Sequence, residues 1–163
     1  MIGEKKMEKK KQIKKILAST DFSSHSKYAI EYAQFMAKKC KATLLIIHVI
    51  DEFVPTFAAE FTPEPVSEIM KSHMRKARQK LKAFADKEVD KSLKIELIVA
   101  RGTPYVEIIR TAKKKKVDLI VIAALGGNVL SHTLFGSTAE RVVWKAPCPV
   151  LSVKSPKHKF VMP

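Results

Sequence analysis

The segment Leu44-Leu45-Ile46-Ile47-His48-Val49-Ile50 is apolar almost throughout and only as long as a strand. A strand with one wet face alternates apolar and polar residues, whereas an unbroken run needs cover on both faces. That is the situation of an inner strand in a parallel sheet. Parallel neighbours must be joined by long crossovers, usually helices, and the rest of the chain has the pattern to supply them.

Ile16-Leu17-Ala18 is a short apolar run entering the polar Ser19-Thr20-Asp21, and it reads as strand one. Ala29, Tyr32, Ala33, Met36, Ala37 and Cys40 then recur at helical spacing, with Ser23 or Ser24 available as the cap. Pro55, Pro63 and Pro65 mark residues 51–65 as a loop. A long helix starts near Pro65, with Val66, Ile69, Met70, Met74, Ala77, Leu81 and Phe84 on one face. Leu93 to Ala100 is strand three. Arg101-Gly102-Thr103-Pro104 turns into helix three, with Pro104 in its first turn and Tyr105, Ile108, Ile109 and Ala112 inward. Val117 to Ala124 is strand four. Helix four runs from Ser137 to Lys145 with Ala139, Val142 and Val143 buried, and Pro147 to Val153 is strand five.

Such alternation implies one α/β domain with right-handed crossovers. The expected form is an open five-stranded parallel sheet, doubly wound in the order 3-2-1-4-5, with helices on both faces. Residues 1–12 read as a basic disordered tail, 13–154 as the domain and 155–163 as a C-terminal tail. In open sheets of this kind ligands bind beyond the carboxyl ends of the strands, where the strand order reverses. Attention therefore falls on the residues just after strands one, two and four.

Composition narrows the function classes. No apolar run approaches the roughly 20 residues of a membrane span, and no signal-peptide core follows the basic start, so the reading is a cytoplasmic protein. Cys40 and Cys148 lie far apart without partners at metal-ligand spacing, which suits two half-buried thiols. The formal charge of +15 favours anions in general. However, the 8 Phe, 3 Tyr and 1 Trp do not interleave with a basic cluster along the sequence. Nucleic-acid binding would therefore rest on charge alone, and Lys113–Lys116 already complement a helix C-terminus.

The unusual chemistry lies after strand four. Three of the chain's five glycines, Gly126, Gly127 and Gly136, fall between Ala123 and Thr138. Gly126 and Gly127 permit close backbone approach or positive φ. Gly136-Ser137-Thr138 opens a helix, whose free amides and positive dipole end suit a phosphate, with two hydroxyls added. The segment reads as a phosphate cradle, yet lacks the Gly-Lys-Ser/Thr of a P-loop. A plain helix cap would account for Gly-Ser-Thr alone. Asp21 suits ribose hydroxyls or an adenine amino group, or else serves as an Asx-turn residue before helix one. Asp51-Glu52 could hold Mg²⁺ beside phosphates or simply end a strand in solvent.

The spacing of these pieces resembles the universal stress protein family over about residues 13 to 154. Its ATP-binding members carry Gly-x2-Gly-x9-Gly-Ser/Thr after strand four, and Gly126, nine residues, then Gly136-Ser137 match the second and third glycines and the hydroxyl. Lys15-Ile16-Leu17 through Thr20-Asp21-Phe22-Ser23, His48-Val49-Ile50-Asp51, Gly102-Thr103-Pro104 and Ala146-Pro147-Cys148-Pro149-Val150-Leu151-Ser152-Val153 extend the match. The resemblance implies an adenine-nucleotide site for ATP, AMP or ADP, with Mg²⁺ as an optional companion. Ser19, Thr20 and Asp21 would lie at the adenosine, the Val49 backbone at the adenine, and Ala123 at the first-glycine position. Gly126, Gly127, Gly136, Ser137 and Thr138 would hold the triphosphate. It further implies a homodimer formed through strand five by Val150, Leu151 and Val153.

Ala123 departs from the family's first glycine, and a methyl there could crowd the ribose or α-phosphate. Leu125 replaces a polar residue. No nucleophile–base pair, carboxylate dyad or arginine finger is legible, and Arg141 falls one turn into helix four, so no catalytic residue is assigned and ATP hydrolysis, if any, is slow. The expected function is a nucleotide-dependent regulatory module of a stress response with an unknown protein partner. The alternatives are a family member that works through protein contacts without nucleotide, and a basic polyanion-associated protein. An enzyme of the wider adenine-nucleotide α-hydrolase class would need Ser-Gly-Gly-x-Asp or His-x-Gly-His loops that are not here.

Overall fold

The computed structural model describes residues 12–51, 66–126 and 136–156. Five strands, β1 (Lys15–Ser19), β2 (Thr43–Ile50), β3 (Ile95–Arg101), β4 (Leu119–Ala123) and β5 (Val150–Val153), form one sheet. Its order is β3-β2-β1-β4-β5, and every pair is parallel. Between the strands run α1 (Ser24–Cys40), α2 (Val66–Glu88), α3 (Pro104–Lys115) and α4 (Ser137–Lys145). The expected α/β architecture and strand order are therefore what the chain adopts.

Strand parity divides the core. Ile16, Ala18, Leu44, Ile46, Leu119, Val121, Ala123 and Val153 face the layer made by α1 and α2. Leu17, Leu45, Ile47, Ile120 and Ile122 face Ile108, Ala112, Ala139 and Val142 of α3 and α4. Burial on both sides is what the Leu44–Ile50 run requires, and each fully buried aliphatic side chain contributes about 1.5–3 kcal/mol.

Local chemistry sets the element ends. Ser23 caps α1 by accepting the Ser26 amide at 3.2 Å. Pro104 stands at the start of α3, where its missing N–H costs nothing. Gly102, at φ +133°, makes the turn between β3 and α3 in a conformation closed to other residues, and its amide reaches the Ile50 carbonyl at 3.0 Å.

Several details differ from the sequence expectation: strand four spans Leu119–Ala123 and not Val117 to Ala124, and strand five begins at Val150 and not Pro147. Strand three begins at Ile95, because Leu93 belongs to a turn in which its amide bonds to the Asp90 carbonyl. Tyr32 and Val143 fall on helical spacing but are 43% and 46% exposed, since the strips that α1 and α4 bury are narrower than the apolar pattern. Val153 points into the core under α1. The expected tails lie almost wholly outside the described residues.

Candidate functional site

The sheet reverses at β1: β2 and β3 lie on one side of it, β4 and β5 on the other. Beyond the carboxyl ends of β1 and β4 the departing chains diverge and leave a crevice. A cleft of about 470 Å³ occupies that place, within the range of small-molecule sites. Its floor comes from the ends of β1 and β4, through Ser19, Thr20, Ile122 and Ala123. One wall is Val49 of β2 and Asp51 just beyond its end, backed by Pro104 at the head of α3. The other is Leu125 and Gly126, with Gly136, Ser137, Thr138 and Ala139 at the head of α4.

The turn after β1 is held tightly. Thr20 Oγ1 accepts the Phe22 amide and pairs with the buried Ser26 hydroxyl, both at 3.0 Å. His48 Nδ1 lies 2.9 Å from the Thr20 carbonyl. Phe22 adopts φ 66°, a left-handed conformation that a bulky residue reaches only when its surroundings hold it there. Its ring packs on His48 at 4.4 Å and on Phe84 at 5.7 Å, and the Lys80 ammonium sits over it at 4.3 Å. The result is to turn Asp21 outward at the cleft rim. Asp21 Oδ1 accepts from the Ser23 amide (2.9 Å) and the Ser23 hydroxyl (2.5 Å). The Asx-turn reading of Asp21 is thus realised, and the same residue lines the cleft.

Across from it, Gly126 lies so near that a side chain would start 3.4 Å from Asp21 Oδ2. Gly136 closes the other end: its amide donates to the Ala124 carbonyl at 2.8 Å, and a Cβ on it would stand 3.5 Å from both that oxygen and the Gly126 nitrogen. Neither glycine has positive φ, so each serves close approach and not an unusual turn. Gly136 is also the N-cap of α4, and no side chain caps that helix. Its first-turn amides and its positive dipole end are therefore presented at the cleft beside the Ser137 and Thr138 hydroxyls. Glu140 is the acidic residue in the first turn of α4.

Ser19, Thr20, Asp21, Val49, Ala123, Gly126, Gly136, Ser137 and Thr138 are thus gathered around one cavity. Gly127 and Glu52 lie outside the described residues. Ala123 ends β4 with its methyl in the core under α1, so it borders the cleft without filling it. Arg141 stacks its guanidinium on Tyr105 at 4.9 Å, directed toward α3. Ser26, Pro104, Ile122 and Ala139 were not legible as site residues. Pro104 and Ala139 open helices on the crevice, a placement that only the crossover geometry reveals. Asp51 lines the cleft, but among the described residues no three His, Cys, Asp or Glu side chains gather as a metal site. No helix among them is long and apolar enough to cross a membrane.

Residues 12–154 match the model of the universal stress protein family. The chain is 40% identical over 149 residues to universal stress protein MJ0531 of Methanocaldococcus jannaschii, covering 90% of this chain and 85% of that protein. Among solved structures it resembles the hypothetical protein MJ0577, with a TM-score of 0.77, 29% identity and coverage of 90% and 99% of the two chains. Two further structures share the fold at lower identity. One is a universal stress protein in complex with cAMP (22% identity, TM-score 0.57, coverage 88% and 98%). The other is the Archaeoglobus fulgidus universal stress protein in complex with dAMP (17% identity, TM-score 0.58, coverage 86% and 96%).

Proposed function

The chain belongs to the universal stress protein family, and from that premise we propose that it binds ATP or a related adenine nucleotide in the cleft between β1 and β4. The observation that carries this reading is the opposition of two unlike walls. Asp21 stands on one side, suited to accept hydroxyls or an amino group. Gly126, Gly136 and the uncapped head of α4 stand on the other, suited to a phosphate chain.

The parts divide as follows. β2 runs on past β1, whose ladder ends at Ser19 opposite Ile47, so the Val49 main chain borders the space an adenine would fill. Ser19, Thr20 and Asp21 face the ribose. Gly126, Ser137 and Thr138, with Gly127 from the same stretch of sequence, take the phosphates. Mg²⁺ would come with the nucleotide, held by phosphate oxygens and at most one or two carboxylates, Asp51 being the one at hand. The complexes with cAMP and dAMP support the reading at the level of the fold.

The protein acts as a binding module. Arg141 is engaged with Tyr105 and no catalytic residue is assigned, so the reading is of turnover that is slow at most. We place it in the cytoplasm, in agreement with two free cysteines, as a stress-response regulator whose contacts with a protein partner depend on the bound nucleotide. It pairs with a second copy along β5. That edge leaves Val150 and Leu151 half-buried and the Ser152 hydroxyl buried without a hydrogen-bond partner, and on the neighbouring α4 Trp144 is 83% exposed. The nucleotide-free reading rests on Ala123 and Leu125 marking a decayed site; Ala123 shares the strand face that packs under α1, which weighs against the first of these grounds, while Leu125 lines the cleft. Calorimetric titration with ATP and Mg²⁺ tests the proposal.

A further inference from the structure

We propose a second binding surface at the other end of the molecule, built to take a single-stranded nucleic acid. It consists of an aromatic stripe down α1 and a row of lysines along the amino-terminal edge of the sheet.

The stripe follows from helical spacing. Tyr28, Tyr32, Phe35 and Lys39 are four, three and four residues apart and therefore share one face of α1. The two tyrosine rings meet edge to face at 5.2 Å. Tyr32 and Phe35 are 43% and 56% exposed, and the Lys39 ammonium stands over Phe35 at 5.7 Å. Along the sequence Lys38, Lys39 and Lys41 follow Phe35 without interleaving with the aromatics. On the helix, the stripe leads straight to them.

α1 ends in Lys38, Lys39 and the C-cap Lys41, at the edge where all the parallel strands begin. Four neighbouring strands enter there, each behind lysine. Lys94 precedes β3, its carbonyl accepting the Leu44 amide. Lys41 precedes β2. Lys14 precedes β1, its carbonyl accepting the Thr43 amide. Lys116 precedes β4, and the adjacent Lys115 carbonyl accepts from Lys15 Nζ at 2.9 Å. Adjacent strands lie about 4.8 Å apart, so these four lysines share one edge of the sheet, within one to three residues of the strand starts.

The acids on this surface are mostly engaged. Asp90 pairs with Lys38, Glu96 with Lys115, and Glu88 with Lys27, while the Asp118 carboxylate accepts the Lys14 and Lys15 amides at 2.8 and 2.9 Å. Glu31 is the acid beside the stripe. Among the described residues no ion pair holds Lys14, Lys39, Lys41, Lys94, Lys113, Lys114 or Lys116.

Macrodipole complementarity needs one or two lysines per helix end and gives no reason for exposed aromatics beside them. Stacking faces adjoining a line of cations are what binding of unpaired bases requires. A duplex hides its base faces and could use the lysines only. The cleft opens at the carboxyl ends of the strands, so this surface acts independently of the nucleotide site.

The test is fluorescence anisotropy of the full-length protein with a labelled single-stranded oligonucleotide of about 15 residues, a length suited to such surfaces. A duplex of the same length serves as the comparison, and a salt series starts near 50 mM. The expected result is tighter binding of the single strand than of the duplex. Tyr32→Ser with Phe35→Ser should weaken single-strand binding roughly tenfold and leave duplex binding alone. Lys41→Asn with Lys116→Asn, which tolerate the left-handed backbone of these positions (φ 54° and 53°), should lower the salt slope for both. Excess ATP should not compete. Absent binding at low salt, equal affinity for duplex, or insensitivity to the aromatic substitutions would overturn the proposal. So would a drop in the protein's own molecular mass in the aromatic variant, which would make the stripe a contact between copies of the chain.

Discussion

The Gly136 amide donates to the Ala124 carbonyl across 2.8 Å, so the chain that leaves the end of β4 returns beside its own point of departure to begin α4. That closure brings Gly126, Ser137 and Thr138 to one wall of the cleft. It works only if residue 136 carries nothing that pushes the two backbones apart.

A graded pair of substitutions reads this out. A Cβ at 136 would meet its neighbours at ordinary contact distance, 3.5 Å, and φ is −71°, so Gly136→Ala should fold with little loss. The γ-methyls of Gly136→Val must displace the Ala124–Gly126 backbone, a strain of about 1–3 kcal/mol. Urea unfolding should show that loss, and nucleotide affinity should fall by roughly tenfold or more in Val while Ala keeps most of it.

Asp21 has two duties that two variants separate. Asp21→Asn keeps an Oδ1 acceptor for the Ser23 amide and hydroxyl, whereas Asp21→Ala loses the Asx turn. Thermal melts should place Asn near the wild type and Ala lower by about 1 kcal/mol. Both should weaken nucleotide binding, since a neutral amide is a poorer acceptor than a carboxylate for ribose hydroxyls.

Asp90 ties the α2–β3 turn to α1. The Lys38 ammonium bonded to its carboxylate, helped by hydrogen bonds from Ser92, holds it well below the usual carboxylate range. A depressed folded value means the contribution is fully present above the unfolded carboxylate range and is lost as pH falls below that range toward the depressed folded value. Asp90→Asn should therefore be less stable than the wild type near neutral pH. The two denaturation midpoints should draw together progressively as pH falls below the usual carboxylate range.

Light scattering should return about twice the chain mass of 18.3 kDa. Trp144→Ser, at a site 83% exposed and outside the core, should shift the equilibrium toward monomer without lowering the melting temperature of the monomer. A wild-type monomer at micromolar concentration would remove β5 as the pairing edge.

Much of the fold was legible because its strands are short apolar runs with no competing helical period, Leu44–Ile50 above all. The segment after β4 stood out because three of the five glycines fall in it beside Ser137 and Thr138 at a helix start, and its described ends, Gly126 and Gly136 to Thr138, do line the cleft. What stayed hidden depends on contacts through space. The left-handed Phe22 is held by His48 and Phe84, residues 26 and 62 positions away, and no local pattern announces that. The worry over Ala123 came from counting a methyl without knowing its direction; strand parity sends it under α1. Tyr32 read as a core residue by spacing and is exposed, because spacing marks a face without giving its width.

The central claim is that the cleft between Asp21 and the head of α4 takes an adenine nucleotide. Isothermal titration of the purified protein with ATP and Mg²⁺ at moderate salt, after mass spectrometry for co-purified nucleotide, tests it most directly. The account predicts saturable binding that Gly136→Val removes and that survives added salt. No heat from a protein carrying no nucleotide would contradict it.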